Sequence, residues 1–316
     1  IPLCAPGVIS TALKMMLQRD APLALRPGWN LEGMTWLLRF ARKCTSEHAR
    51  QAMHSRAALL AYSRELFDRL FAEHPMDCDW QTNGALFVCR SSRSLDELAA
   101  TEEKLARIGI QGQAMSAGQL QDLEPGLRPD LAGGWRHAVH AHLRPDRFVT
   151  EWARAVVKSG AEVLTQCEVQ GFETDKDGIT AVQTSLGPLF ARDVVLAAGA
   201  WSGRLGRTLG LRLPVRPARG ISLTMPAQGQ GTSIPCFLVD KRVVATPWKS
   251  GFRLGGRLEL SGFDTQVQPR HLQILKRSFQ EYFHPKLDSS QGEEWAGLRP
   301  MTYDDLPVLG RSRQLS

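Results

Sequence analysis

The chain has 316 residues, of which 43% are hydrophobic and 22% are charged, a balance typical of a soluble globular protein with a sizeable buried core. This composition excludes an intrinsically disordered chain. The formal net charge of +7 comes from Lys and Arg residues dispersed along the sequence, without a basic block or a zinc-finger spacing, which argues against a nucleic-acid-binding protein. It leaves open a weak attraction to the anionic head groups of a membrane surface.

The cysteines, the apolar runs and the first residues limit the cellular setting. The longest apolar runs, such as residues 194–198, are too short to span a bilayer. None of the six cysteines forms a CxxC pair or stands at zinc-ligand spacing from a histidine, which predicts reduced thiols in a reducing compartment such as the cytoplasm. The start Ile-Pro-Leu-Cys has neither an initiator Met nor the regions of a signal peptide, so we expect the sequence to begin inside a longer protein.

The first third of the chain alternates helical and extended patterns. Apolar residues at near-helical spacing predict a helix over residues 56–74. Residues 84–89 form a short apolar run that predicts a buried strand. Residues 94–97, Ser-Leu-Asp-Glu, have the form of a capping box and predict a helix that begins there and continues to about residue 108.

Residues 144–201 carry the most regular pattern. Asp146 is the predicted N-cap of an amphipathic helix that ends at Gly160. A short strand is predicted over residues 162–165, followed by a hairpin of residues 168–174 and 179–184 around Asp-Gly. Together with the strand considered next, these elements predict a helix–strand–hairpin–strand unit of an α/β domain.

Residues 193–199 form a continuous apolar run that ends in a glycine turn. Continuous rather than alternating hydrophobicity predicts a central strand covered on both faces. Small residues directly after such a strand allow a cofactor to approach the backbone closely.

The pattern changes after residue 214. Residues 220–225, 239–248 and 252–260 predict strands of an antiparallel sheet joined by Gly and Pro turns, and apolar residues at positions 272, 275, 279 and 283 predict one amphipathic helix. Residues 295–309 mix Gly, Pro and Asp and predict a loop-rich return to the first domain.

A GxGxxG dinucleotide-binding motif occurs nowhere in the chain. Other segments carry the functional signal: VVLAAGAWS at residues 194–202, PARGISLT at 217–224, LGGRLELSGFD at 254–264, WAGLRPMT at 295–302 and DDLPVLGRS at 304–312, together with early residues 5–8 and 19–23. Over essentially all 316 residues the chain resembles the D-amino-acid oxidase superfamily of FAD-dependent oxidoreductases, with its nearest likeness to the bacterial D-amino-acid dehydrogenases.

The resemblance implies an α/β (α+β mixed) fold in which an FAD-binding Rossmann-like domain, incomplete at its N-terminus, is interleaved with an antiparallel β-sheet substrate domain. Residues 1–50, 130–214 and 292–316 would belong to the FAD-binding domain, and residues 51–129 and 215–291 to the substrate domain. The family's glycine-rich strand–turn–helix would precede this sequence and a flavin-contacting segment would follow it.

The resemblance also implies the reaction and its partners. Members oxidise the Cα–N bond of an amino acid by hydride transfer to FAD, and water hydrolyses the imine to a keto acid and ammonia. The partners would be an amino-acid substrate and an electron acceptor, with the respiratory chain (for example a quinone) expected in place of oxygen. The enzyme would be cytoplasmic or peripheral at the inner face of the cytoplasmic membrane.

Residue by residue, Arg299 matches the carboxylate-binding arginine of the family, and a permanently charged bidentate guanidinium suits that role. Gly256 and Arg257, with the adjoining Gly255, match the strand that borders the substrate pocket. The positions implied to contact FAD are Val169, Ala198, Gly199, Ala200, Trp201 and Gly310. No general base is implied, because a desolvated substrate amine loses its proton more easily.

Each assignment has a structural alternative. Arg299 is otherwise an ion-paired or surface arginine, Arg257 otherwise pairs with Glu259 or Asp264, and Trp201 otherwise only packs. His137, His140 and His142 stand close in sequence without a clear carboxylate partner, so loop or surface histidines are a more economical interpretation than a metal site.

Three alternative functions stay open. The first is a related amine oxidase or dehydrogenase that acts on glycine, sarcosine or a hydroxyproline isomer. The second is an inactive fragment that binds FAD poorly, and the third is a binding or scaffold module, for which the sequence shows no peptide groove or interaction tail.

Overall fold

The computed structural model describes residues 4–9, 23–25, 31–176, 178–226, 232–284 and 288–312. The side chain of Arg257 and the turn residue Asp177 lie outside the described part. The helices are α1 (Leu31–Lys43), α2 (Ser46–Glu73), α3 (Ser92–Ala106), α4 (Ala117–Leu123), α5 (Pro145–Lys158), α6 (Ser202–Thr208) and α7 (Pro269–Gln280), with a 3₁₀ turn at Gly199–Trp201.

The strands form two sheets, which confirms the predicted mixed α/β class. They are β1 (Leu23–Leu25), β2 (Ala85–Cys89), β3 (Gln113–Met115), β4 (Gly133–His137), β5 (Val169–Asp175), β6 (Gly178–Thr184), β7 (Gly187–Leu189), β8 (Arg216–Pro226), β9 (Cys236–Leu238), β10 (Val243–Trp248), β11 (Gly251–Leu260) and β12 (Glu293–Met301).

The large sheet has the order β12-β8-β11-β10-β9-β2-β4-β3, and β1 pairs with β11. Most neighbours are antiparallel, but β2–β9 and β1–β11 are parallel, so the sheet is mixed. Strands β5, β6 and β7 form a separate antiparallel sheet. The domain boundaries expected from the sequence stay a prediction.

Several predicted elements are confirmed. The helix expected over residues 56–74 is α2, which begins ten residues earlier because Thr45 caps it by accepting from the backbone N–H of His48. The strand at 84–89 is β2, and the hairpin strands at 168–174 and 179–184 are β5 and β6. Gly160, at φ +94°, follows the end of α5 as expected.

Two predicted helix caps are wrong. Helix α3 is capped by Ser91, whose side chain accepts from the N–H of Ser94, so the helix begins before the expected box. Helix α5 has Arg144 at the cap position and Pro145 in its first turn, and it makes no side-chain cap hydrogen bond. Asp146 lies in the first turn instead, where a carboxylate favours the positive end of the helix dipole.

Two predicted strands are also wrong. Residues 162–165 form no strand, and neither do residues 193–199. Within the described ranges no strand lies beside residues 193–198, and a strand needs a partner for its backbone groups. Val195 is accordingly 86% exposed.

After residue 214 the strands of the large sheet follow the prediction closely, with two corrections. Strands β8 and β11 and helix α7 cover the expected segments. Strand β10 begins only at Val243, because residues 239–242 form a turn in which Arg242 has φ +53°. The prediction of a loop over residues 295–309 is wrong for residues 295–301, because β12 pairs with β8 as far as Met301.

The core lies between the large sheet and α7. Alternation places Ile221, Leu223 and Met225 of β8 on the face that α7 covers. The helix buries Leu272, Leu275 and Phe279 against that face. The opposite face of the same strands is therefore free to line a ligand cavity.

One buried charge cluster lies on the core face of β8 and β11. Arg219 and Glu259 are opposite each other in register and both are fully buried, and the Arg219 guanidinium donates to the Glu259 carboxylate. Arg219 also donates to Asp264 Oδ2 at 2.8 Å and to the Gln266 carbonyl at 2.9 Å. On α7, His271 Nε2 lies 3.4 Å from Glu259 Oε1.

We expect Arg219→Met to lower the free energy of unfolding by about 3–5 kcal/mol, because it leaves the Glu259 charge buried without its main partner. The measurement is urea unfolding followed by circular dichroism. Arg50→Met is the matched control, because Arg50 forms an exposed ion pair with Glu47 on α2. Equal losses in the two variants would show that the buried pair does not stabilise the sheet.

Candidate active site

A cavity of about 2940 Å³ opens over the face of the large sheet opposite α7. Cross-strand register explains its lining: Ser222 of β8 lies opposite Gly255 of β11 and Trp295 of β12, and all three point away from the core. The other cavity-facing residues of the sheet include Phe87, Gly220, Phe237, Val244, Thr246, Trp248, Arg253, Leu258 and Arg299.

The second wall of the cavity comes from segments outside the sheet. They are part of α1, residues 192–197 with Gly199, and residues 305–312. Single-ligand pockets commonly measure about 300–1,000 Å³. The cavity is therefore large enough for a dinucleotide and a small substrate together.

Gly255 and Gly256 point to opposite faces of β11. A Cβ at Gly255 would meet no atom within 4 Å, so this residue leaves open space on the cavity side. A Cβ at Gly256 would lie 3.0 Å from Val243 Cγ2 and 3.2 Å from Leu275 Cδ2, on the core side. Of the two, Gly255 is the glycine whose missing side chain enlarges the cavity.

Arg299 lies on β12 with its side chain exposed to the cavity. In the described part of the chain no carboxylate forms an ion pair with it. An arginine without an internal counterion in a cavity is available to bind an anion. Of the two alternatives, the described residues show no ion-paired arginine, whereas the exposure of Arg299 also fits a surface arginine, so its role stays a prediction.

A second arginine in the cavity was not expected from the sequence. Arg253 Nη2 donates to Ser222 Oγ at 2.7 Å, and its guanidinium carbon lies 5.2 Å from the Trp295 ring centre and 6.0 Å from that of Trp248. Desolvation by burial lowers the pKa of Arg253. The available signal was an arginine within an apolar strand, two residues before the first glycine of the Gly255-Gly256 pair.

Two further predicted residues lie at the second wall. Gly199 has φ +52° and Gly310 has φ +134°, and a Cβ at either position would meet no atom within 4 Å. These conformations favour glycine, and the open space beside them lets a ligand approach the backbone. Both residues line the cavity, as a cofactor contact requires.

Four other predicted cofactor residues do not line the cavity in the described structure. Val169 begins β5, and Ala200 is buried in the 3₁₀ turn that packs against β12 and β8. Trp201 is 47% exposed and its ring centre lies 5.8 Å from that of Phe263. Ala198 precedes the turn. Their roles stay predictions.

The three neighbouring histidines have separate environments. His137 Nε2 lies 3.0 Å from the buried Glu102 carboxylate, His140 contacts Phe87 edge-on, and His142 Nε2 lies 3.2 Å from the Pro247 carbonyl. Among the residues that the structure describes, no group of three His, Cys, Asp or Glu side chains is placed to hold a metal ion.

Comparison with known proteins decides the family. The profile of the FAD dependent oxidoreductase (DAO) family matches residues 24–315. The chain belongs to this family. This match confirms the resemblance drawn from the sequence. It also confirms the expected cofactor, FAD.

Individual relatives agree with this assignment. The chain is 33% identical over 318 residues to a D-amino acid dehydrogenase of Xylella fastidiosa (strain M12), which covers 98% of this chain and 72% of the relative. It is 32% identical over 319 residues to a D-amino acid dehydrogenase of Agrobacterium fabrum, covering 99% and 76%. The crystal structure of glycine oxidase from Geobacillus kaustophilus is similar with a TM-score of 0.73 and 25% identity, over 82% of this chain and 70% of that one.

The cavity fits the cofactor of the family. Gly199 and Gly310 leave open space along the second wall, where an added side chain would obstruct a flavin dinucleotide. None of the helices that the structure describes has the length and hydropathy needed to cross a membrane.

The two glycines of β11 allow a direct test of which face borders the cavity. We expect Gly255→Val to change the free energy of unfolding by no more than about 0.5 kcal/mol, because the new side chain enters open space. Gly256→Val should lower it by about 1–3 kcal/mol, since the side chain meets Val243 and Leu275. Urea unfolding of both variants is the measurement, and the reverse order would contradict the assignment of faces.

Proposed function

We propose that this FAD-dependent oxidoreductase carries out oxidative deamination of D-amino acids to keto acids and ammonia. Two curated relatives, each with more than 70% of its length matched, are D-amino acid dehydrogenases. The observation that carries the proposal is the cationic Arg299, which has no ion-pair partner among the described residues and faces the cavity from β12. A carboxylate is the ligand that such a guanidinium holds best.

The chain's own residues would bind and orient the substrate. Arg299 would hold the α-carboxylate through two parallel N–H···O bonds, which fixes the direction of Cα. The apolar rings of Phe237 and Trp295 line other parts of the same cavity and would limit the access of water to it. Desolvation of the substrate amine favours its neutral form, so no side chain is assigned as a general base.

FAD, when bound, accepts the hydride from the substrate Cα. The backbone at Gly199 and Gly310 would approach the dinucleotide most closely, and Val169, Ala198, Ala200 and Trp201 are further proposed contacts. Gly256 and Arg257 belong to the strand that we propose borders the substrate. Water then hydrolyses the imine product to the keto acid and ammonia.

A second candidate substrate class is glycine or a related secondary amine such as sarcosine or a hydroxyproline isomer. The similarity to glycine oxidase, with a TM-score of 0.73, favours it. The electron acceptor and the place of the reaction are also proposals: a respiratory acceptor such as a quinone, in the cytoplasm or at the inner membrane surface.

The reaction is tested by the visible spectrum of the FAD-loaded protein under anaerobic conditions. We expect D-alanine to bleach the oxidised flavin band, because hydride transfer reduces the cofactor, and L-alanine to leave it unchanged. Glycine and sarcosine are the comparison substrates. Bleaching by these two, with no response to any D-amino acid, would replace the first substrate class by the second.

Arg299→Ala should raise KM for the amino acid by about 30- to 700-fold, the equivalent of roughly 2–4 kcal/mol for a lost charged bidentate contact. Arg299→Lys should recover part of the loss, since it restores the charge without the fork. Arg64→Ala is the control, because Arg64 pairs with Asp68 on α2. A KM that stays unchanged in Arg299→Ala would exclude the carboxylate-binding role.

A further inference from the structure

The second arginine of the cavity, Arg253, is a half-buried cation that forms no ion pair with any residue that the structure describes. Among the described residues its one side-chain hydrogen bond is the 2.7 Å contact with the neutral Ser222, and two indole rings flank it. Asp146 and Glu293 act on Arg253 electrostatically, but in the described part of the chain neither carboxylate forms an ion pair with it. Burial of a cation without a counterion is costly, and an incoming anion would remove that cost.

We infer that Arg253 binds a second carboxylate, and that the preferred substrates are D-amino acids with an acidic side chain. This inference rests on the proposed function and deepens it. Arg299 holds the α-carboxylate, and Arg253 holds the carboxylate at the far end of the substrate. Ser222 and the two indoles fix the position of the Arg253 guanidinium before the substrate arrives.

The spacing of the two cations suits a short dicarboxylate. The Arg253 guanidinium donates to Ser222, and Ser222 lies directly opposite Trp295 in the sheet. The guanidinium is therefore held near Trp295. Trp295 and Arg299 are four residues apart on one strand, about 14 Å at a rise of 3.4 Å per residue. A five-carbon dicarboxylate such as glutamate, with a charged hydrogen bond at each end, is long enough to bridge two cations at about that separation.

The surface between the two cations is apolar. The Trp295 ring extends along β12 over Gly297, where an added Cβ would lie 2.0 Å from the ring. The indole therefore forms a floor between Arg253 and Arg299, and the methylene groups of the substrate would lie on it. A substrate with a neutral side chain of the same length would contact the Trp295 indole equally well, but it would leave Arg253 without an anion.

D-glutamate and D-glutamine differ only in the charge of the side-chain end, so their comparison isolates the role of Arg253. For the FAD-loaded enzyme we expect kcat/KM to be higher for D-glutamate. Arg253→Met should lower the ratio of kcat/KM for D-glutamate over D-glutamine by about 10- to 100-fold, the factor for a lost charged contact. Arg253→Lys should recover part of the ratio.

Arg144→Met is the matched control. Arg144 also lies over the Trp248 ring, at 5.6 Å, and donates to a serine, Ser250, but Asp146 already pairs with it and it does not line the cavity. This variant should leave the ratio unchanged. A ratio near one in the native enzyme, or an equal change in the Arg253 and Arg144 variants, would overturn the inference.

Direct binding separates failure of this inference from failure of the proposed function. Trp248 and Trp295 flank Arg253, so D-glutamate should change tryptophan fluorescence, and the Kd should be at least about 10-fold lower than for D-glutamine. If no D-amino acid reduces the flavin, the proposed function fails, while this difference in Kd and its loss in Arg253→Met still support an acidic ligand. Equal Kd values would overturn the inference even when D-alanine is oxidised.

A second variant keeps the test valid if Arg253→Met does not fold. Ser222→Ala removes the contact that positions Arg253, and it should reduce the difference in Kd between D-glutamate and D-glutamine.

Discussion

The register between β8 and β11 is the constraint on which the site depends, and the buried Arg219–Glu259 pair fixes it. A shift of β11 by one residue along β8 would move Glu259 to the cavity face, away from Arg219, and turn Gly255 into the core. The pair lies beside the irregularity in pairing between Gly256 and Leu258, where the ladder alone specifies register least well. Burying two charges adds little net stability, but a wrong register would leave them unpaired at a high cost.

With that register set, each strand has two different tasks on its two faces. On β8, Ile221 and Leu223 pack under α7, while Ser222 between them faces the cavity. The core face is built mainly from large apolar side chains, whereas on the other face small residues such as Ser222 leave room between larger ones such as Trp295. The same alternation on β12 points Trp295 and Arg299 into the cavity and Ala296 towards the core. The cavity is thus a consequence of the pattern of residue sizes.

The sequence predicted the elements whose pattern is local. Strands β8 and β11 and helix α7 were found because alternation or helical spacing is visible within each segment. Strand β12 was missed because Gly297 and Pro300 are typical of loops, and only pairing along β8 makes this segment extended. The run at 193–199 failed for the opposite reason, since its hydrophobicity is local but a strand also requires a partner.

The same distinction applies to the site. Arg299, Gly199 and Gly310 were predicted because their segments resemble those of the family, and Gly199 also because it follows an apolar run. Arg253 was missed because its significance arises from Ser222, Trp248 and Trp295, which belong to three other strands and meet it only in the folded sheet.

The two arginines of the cavity have different physical settings. We therefore expect them to bind different parts of a ligand. Arg299 is exposed on β12 and free to follow a carboxylate, whereas Arg253 is held by Ser222 between two indoles. A flexible cation costs conformational entropy when it binds, while a fixed cation has already lost that freedom during folding. If Arg253 binds the side-chain end as inferred, discrimination between substrates is strongest there, because a fixed guanidinium cannot move to compensate for a mismatched ligand. In the function proposed above, Arg299 would bind the α-carboxylate that all amino acids share, and Arg253 would bind the side-chain end that differs between them.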